Sequence, residues 1–359
     1  MAKKQRKSSN SFFQFLNNHS IKVILGVVAS SSFAIAFGQE KISQWISLSS
    51  STDSACLNQF YRDVPPYLMK DSLKKDSYSL CFNGFNVGYS GVSKTPLWVA
   101  EALTPTRLSQ KIPREDNFHE EERVSAAHRA TLADYRGSGY DRGHMAPNAD
   151  MSNKAAQSDS FSLANMVPQA PKNNQQVWRE LEEATRAIVT KQKQDVYVVT
   201  GPVFAGKKLK TIGNGVIVPT AVYKAVYMPK TGAIGAYYAP NDNSLKVRIV
   251  SVCYLEEQLG INLFPQLTEE QKRNTYKLPL TGNAVKANQK IEYSNWDAES
   301  QCAEDVSEEN LQALQREFKS SGSSSSASST GTVMDSATQD AIVKQLIDAL
   351  LHYILQLLK

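Results

Sequence analysis

The run Val196-Tyr197-Val198-Val199-Thr200, stopped by Gly201-Pro202, constrains the fold most. Branching at Cβ makes valine and threonine stiff in a helix and well suited to a pleated sheet. An uncharged run of this kind, ended by Gly-Pro, reads as a buried strand. Leu80 to Tyr89 alternates apolar with small or polar residues and reads as another strand. Leu97 to Ala102, Gly215 to Val218, Ala221 to Tyr227 and Leu245 to Tyr254 supply further strands. Trp178 to Lys191 differs: Trp178, Leu181 and Ile188 are spaced by charged residues, as in an amphipathic helix. Strands with interspersed helices predict an α+β domain with a central, largely antiparallel sheet flanked by helices.

Chemistry concentrates in two short segments. The first is Tyr140-Asp141-Arg142-Gly143-His144-Met145-Ala146-Pro147. Histidine can take a proton from water near neutral pH. Arginine keeps its charge and has a planar fork that fits phosphate oxygens, and glycine lets backbone approach a ligand. Taken alone, the segment reads more simply as a charged surface turn. The second cluster is Asn165-Met166-Val167-Pro168-Gln169 followed by Asn174 to Arg186. Asn174, Trp178, Glu182 and Arg186 recur every four residues and so share one face of a helix. An amide oxygen, a carboxylate and a guanidinium in a row suit a hydrated Mg²⁺ beside a phosphate, since Mg²⁺ takes oxygen ligands and keeps its waters. The plainer reading is an ordinary amphipathic helix with Trp178 in the core.

Together, the two segments resemble the DNA/RNA non-specific endonucleases, the group of the Serratia nuclease and mitochondrial endonuclease G. That family carries an Asp-Arg-Gly-His signature, an Asn-x-x-Pro-Gln segment and an Asn…Trp…Leu-Glu helix, here Asp141 to His144, Asn165 to Gln169 and Asn174 to Glu182. The resemblance extends over residues 56–300, through Thr95 to Glu101, Tyr197 to Phe204 and Val218-Pro219-Thr220. It implies the ββα-metal nuclease fold and hydrolysis of DNA and RNA to 5′-phosphate ends with one Mg²⁺, or Mn²⁺ in its place. His144 is then the general base, Asn174 the direct metal ligand and Glu182 the carboxylate behind the metal's waters. Arg142 and Arg186 bind phosphate oxygens, and Arg114, in a looser motif, is a candidate for the same task. Asn165 orients the base or the backbone around it. Asp141 positions Arg142 or His144, or only closes the turn. His119 and His128 lie among charged or small residues and read as solvated.

Composition adds limits rather than a function. The net charge of +5 comes entirely from residues 1–38, which hold Lys3, Lys4, Arg6, Lys7 and Lys22 and no acid. Bulk charge is therefore no argument for nucleic-acid binding, and phosphate affinity must come from local clusters. No recognition helix or base-reading module is visible, in keeping with contacts confined to phosphate and metal. The four cysteines, Cys56, Cys81, Cys253 and Cys302, form no zinc spacing. They allow three disulfide pairings, or free thiols. Cys56–Cys81 and Cys253–Cys302 are favoured because each pair brackets one end of the nuclease-like region.

Outside that region the chain divides further. Residues 1–38 read as a signal peptide, an uncleaved membrane anchor or a mitochondrial presequence. The first of these sends the protein to the periplasm or the medium. Residues 39–55 form a polar linker, and the nuclease domain runs from 56 to 305. A charged helix follows at 306–319, from Ser307 to Phe318, and then a Ser-rich flexible linker at 320–332. Residues 333–359 form a Leu-rich amphipathic helix suited to self-association, to docking on the domain or to a membrane surface. Three rivals share these features: an exported nuclease toxin, a nucleic-acid-binding protein without turnover, and an adaptor built on the last helix.

Overall fold

The computed structural model describes residues 56–323. The N-terminal segment 1–38, the linker 39–55, most of the Ser-rich stretch and the C-terminal helix at 333–359 lie outside the described residues.

Seven strands form one sheet, antiparallel at every pairing. In chain order, β1 (Ser77–Cys81), β2 (Asn86–Ser90) and β3 (Thr95–Leu103) make a meander. A separate two-stranded ribbon follows, β4 (Asp141–His144) paired with β5 (Met166–Gln169). The chain then returns to the sheet as β6 (Val196–Val203), β7 (Ala221–Met228), β8 (Ala233–Pro240) and β9 (Arg248–Val250). The strand order is β9-β8-β7-β6-β3-β2-β1, so β3 and β6 are neighbours although residues 104–195 separate them. Both chemical segments lie in that excursion.

Helices take both sides. Within the excursion lie α1 (Pro105–Ser109), α2 (Lys154–Ser160) and α3 (Arg179–Gln192). After the sheet come α4 (Val252–Leu259), α5 (Glu269–Arg273) and α6 (Glu308–Ser323). Side chains alternate across the sheet with period two. On one face Val99, Val198, Val222 and Val226 pack with Met145, Trp178, Leu181 and Ile188 of the excursion. On the other, Trp98, Ala100, Tyr223 and Tyr227 pack with Leu255, Phe264 and Phe318.

Two strand expectations change, and one strand was not expected. Leu80 to Tyr89 is not one strand but the end of β1, a turn and β2: Gly84 has φ of +102°, and the Phe82 N–H donates to the Phe85 carbonyl at 3.1 Å. The alternation runs through both strands, so periodicity alone hid the Asn83-Gly84 turn. Leu245 to Tyr254 is strand only at β9, because the Ser251 hydroxyl accepts from the Tyr254 N–H at 2.9 Å and starts α4. β8, with its alanines and glycine, had no β-branched signal beyond Ile234. α6 continues through Ser323, so the first residues of the Ser-rich stretch are helical, and Phe318 packs in the core. Both expected disulfides are present: Cys56–Cys81 ties the first described residues to β1, and Cys253–Cys302 ties α4 to the segment before α6.

Candidate active site

The ribbon β4–β5 and helix α3 form a ββα unit against the sheet face that carries Val99 and Val222. Register places His144 opposite Met166, Gly143 opposite Val167 and Asp141 opposite Gln169. The glycine is required by contact: a Cβ on Gly143 would overlap Gln169 Oε1. Gln169 uses that space to reach along the ribbon and donate to Asn173 Oδ1 at 2.5 Å, while Asn173 donates to the Pro240 carbonyl at 2.9 Å. This fixes the start of Asn173–Trp178, which is wound as a π-helix before α3. Such turns recur at functional sites because they re-aim side chains. Trp178 is buried in the core, whereas Asn174, Glu182 and Arg186 face a cleft. The four-residue row therefore holds for the polar members and breaks at Trp178.

The cleft has a volume of about 1010 Å³ and is lined by Arg114, Asp141, Arg142, His144, Asn174, Glu182 and Arg186, all singled out in the sequence. Asn165 is not among them. It is fully buried, its Nδ2 donates to the carbonyls of Ala146 and Ser160, and its Oδ1 accepts from the Ala146 N–H, each at 2.9 Å. With every polar position committed to backbone, it cannot touch a substrate. It anchors the chain just past His144.

Asp141 does something other than expected. Its Oδ2 accepts from Asn174 Nδ2 at 2.9 Å and from Gln175 Nε2 at 2.8 Å. A carboxylate only accepts, so it selects the amide orientation of Asn174 and leaves Oδ1 free. Among the described residues the Glu182 carboxylate has no hydrogen-bond partner. Burial pushes it up to about 7, with Lys224 and Arg186 opposing, so a nearby cation would hold it ionised. One free amide oxygen and one carboxylate suit a hard divalent ion that keeps most of its waters. Among the described residues no three His, Cys, Asp or Glu side chains converge to hold a metal.

Two aromatic rings, missed in the sequence, frame the histidine. Phe118 and Phe161 lie 5.8 Å and 5.2 Å from the His144 ring, centroid to centroid. The Arg142 guanidinium stacks over Phe118 at 3.8 Å, and Arg114 lies over Phe161 at 5.3 Å while pairing with Asp116 at 2.5 Å. Among the described residues neither ring nitrogen of His144 has a hydrogen-bond partner, and Nε2 is buried. Burial, then the charges of Arg114 and Arg142, push the imidazole down to about 3, with Asp116 pulling the other way. His144 is thus neutral at physiological pH, with an unpartnered lone pair. Asp150 was also missed: its Oδ1 accepts from Arg186 Nη1 at 2.9 Å. His119 and His128 stay outside the cleft, their Nδ1 atoms engaged with the Asn117 carbonyl and the Tyr78 hydroxyl.

Comparison with known proteins identifies the family. The profile of the DNA/RNA non-specific endonucleases matches residues 66–270. Mitochondrial endonuclease G of Homo sapiens is 37% identical over 213 residues, covering 54% of this chain and 69% of that protein. A nuclease from Nostoc sp. is 33% identical over 213 residues, covering 55% and 76%. Among solved structures, the EndoG/EndoGI complex, described as giving the mechanism of EndoG inhibition, matches with a TM-score of 0.50 at 28% identity. It covers 58% of this chain and 91% of that one. The chain belongs to the DNA/RNA non-specific endonuclease family.

Proposed function

We propose that this nuclease is exported and hydrolyses phosphodiesters in both DNA and RNA with one Mg²⁺, leaving 5′-phosphate ends, with His144 as general base. Phosphodiester hydrolysis itself follows from the family. The observation that carries the finer reading is an imidazole with no hydrogen-bond partner, in one cleft with an amide oxygen that Asp141 leaves free.

The neutral imidazole takes a proton from water, and the hydroxide attacks phosphorus in line with the departing 3′ oxygen. Arg142 and Arg186 hold phosphate oxygens, and Arg114 joins them by releasing Asp116. The incoming phosphate cancels the arginine charges that depress His144, which strengthens the base when substrate arrives. Asn174 and Glu182 would hold the ion, Asn174 through its free amide oxygen and Glu182 as the carboxylate behind the ion's waters. Bound there, Mg²⁺ would supply Lewis-acid neutralisation of the charge that builds on the phosphate. Arginine contacts of this kind carry no base information, in keeping with a lack of sequence preference. The two disulfides support export to an oxidising compartment.

The test is cleavage of plasmid DNA and of RNA by purified protein with Mg²⁺, with EDTA and as His144→Ala. The expected outcome is cleavage of both substrates, lost with EDTA and reduced about 10²- to 10⁴-fold in the variant. Cleavage by His144→Ala at the wild-type rate would remove His144 as the base.

A further inference from the structure

Asp150 belongs to neither chemical segment, yet it holds one arm of Arg186. It is 2% exposed and ends a single 3-10 turn, Asn148–Asp150, that follows Pro147. Its Oδ1 accepts from Arg186 Nη1 at 2.9 Å, while Nε and Nη2 of Arg186 make no hydrogen bond among the described residues. A guanidinium binds phosphate best through two parallel N–H groups. Pairing with Asp150 through Nη1 alone leaves such a fork available.

Asp150 is itself clamped from behind. Arg107 Nε donates to the Asp150 carbonyl at 2.7 Å. Arg107 Nη1 donates to the Ala102 carbonyl at 2.9 Å and to Gln59 Oε1 at 3.1 Å, and Nη2 pairs with Glu101 Oε2 at 3.2 Å. The Arg107 side chain is 10% exposed and faces the sheet, so it cannot reach a substrate. Glu101 and Ala102 are on β3, a central strand, and Gln59 lies three residues from the Cys56–Cys81 disulfide. A chain of charge-assisted hydrogen bonds thus runs from the rigid sheet to the cleft. Free arginine side chains sample many rotamers, and holding one arm removes that entropy before substrate arrives.

We propose that Asp150, clamped by Arg107, is a positioning residue that aims the free edge of Arg186 at the phosphate. The inference rests on reading Arg186 as a phosphate ligand.

Two measurements test it, with folding of each variant checked by thermal melting. The first is kcat/KM of the Mg²⁺-loaded protein on a defined duplex for Asp150→Ala, Arg186→Ala and the double variant. Asp150→Ala is expected to lose about 10- to 100-fold, and the double variant to be no slower than Arg186→Ala. Losses that multiply would mean that Asp150 acts through the fold instead, and would overturn the proposal. The second needs no turnover: Kd of the same duplex against salt concentration in EDTA, in a His144→Ala background. Removing Asp150 should flatten the log–log slope by about 0.9, the share of one phosphate contact. An unchanged slope would overturn the proposal. Asp150→Asn keeps the shape and an acceptor oxygen. It is expected to lose less than Asp150→Ala and replaces it in both measurements if the alanine variant does not fold. If Arg186→Ala alone changes neither kcat/KM nor the slope, the reading of Arg186 fails first and the proposal falls with it.

Discussion

The two faces of the sheet each bury an ionic network, and the networks are built on opposite plans. On the face away from the cleft, the Glu256 carboxylate accepts from the Leu263 N–H at 2.9 Å, the Ala303 N–H at 3.0 Å and Lys272 Nζ at 3.0 Å. Lys272 also donates to Asn262 Oδ1 at 2.8 Å, and Asn262 donates on to the Glu304 carbonyl. No side-chain polar atom of Glu256, Asn262 or Lys272 is buried without a partner. On the cleft face, register puts Thr200 opposite Lys224 and Glu101 opposite Val198, two residues along the same strand, and Lys224 donates to Thr200 Oγ1 at 2.9 Å. There Glu101 Oε1, Gln169 Oε1 and His144 Nε2 are buried without partners. Burial, with Asp150 adding to it, pushes the Glu101 carboxyl up against the pull of Arg107 and Lys224. A closed network can only hold a fold together. An open one keeps charge and lone pairs available for something that arrives later, at a cost in stability.

The largest effect should come from opening the closed network. Lys272→Ala leaves Glu256 buried without its counter-charge, which costs about 3–5 kcal/mol. Urea melts should show that loss, while kcat/KM of the folded fraction stays at the wild-type value. A loss of activity larger than the loss of folded protein would mean that the two faces are coupled. Combining Lys272→Met with Glu256→Gln should recover part of the stability, since neutralising residue 256 as well removes the stranded charge.

A second break acts on the open side. Gly143→Ala drives a Cβ into Gln169, whose amide positions Asn173 at the start of the π-helical turn. Overpacking of this kind costs about 1–3 kcal/mol. Displacing Asn174 from its place beside Asp141 should lower kcat/KM by about 100-fold. Steady-state kinetics with a metal titration read this directly. Normal kinetics in the alanine variant would mean that Gln169 moves aside without consequence and that Asn173 does not set the turn.

What was legible in the sequence follows the range of the contacts. His144, Arg142 and Gly143 are adjacent, and Asn174, Glu182 and Arg186 repeat at helical spacing, so spacing marked them as candidates and the family resemblance gave them roles. The buried strand around Val198 was legible because both of its faces are covered and β-branching marks it. The roles of Asp141 and Asp150 were not, because their partners are 33 and 36 residues away. Nor were Phe118 and Phe161: a phenylalanine in a polar loop carries no sign that it will face a histidine. Asn165 was picked out by its motif, and of its two expected roles the hydrogen bonds fit the second, holding the backbone past His144, which a sequence alone does not separate from contact with the base.

The smallest effect concerns pH and separates the two networks by titration. The unfolded chain takes up the His144 proton below its ordinary value of 6.5, whereas the folded cleft holds the ring neutral until about 3. Between those values the unfolded state binds more protons, so stability contributed at this site falls as pH falls. From pH 6 to pH 5 the wild type should lose about 1 kcal/mol more than His144→Gln, which has no proton to take up. Parallel urea melts of the two proteins at both pH values measure the difference, and shared groups such as Glu256 cancel in the comparison. Equal losses would mean that the imidazole titrates as it does in water. The aromatic cage and the two arginines would then not keep the base neutral, and the depressed basicity that the incoming phosphate is proposed to relieve would not exist.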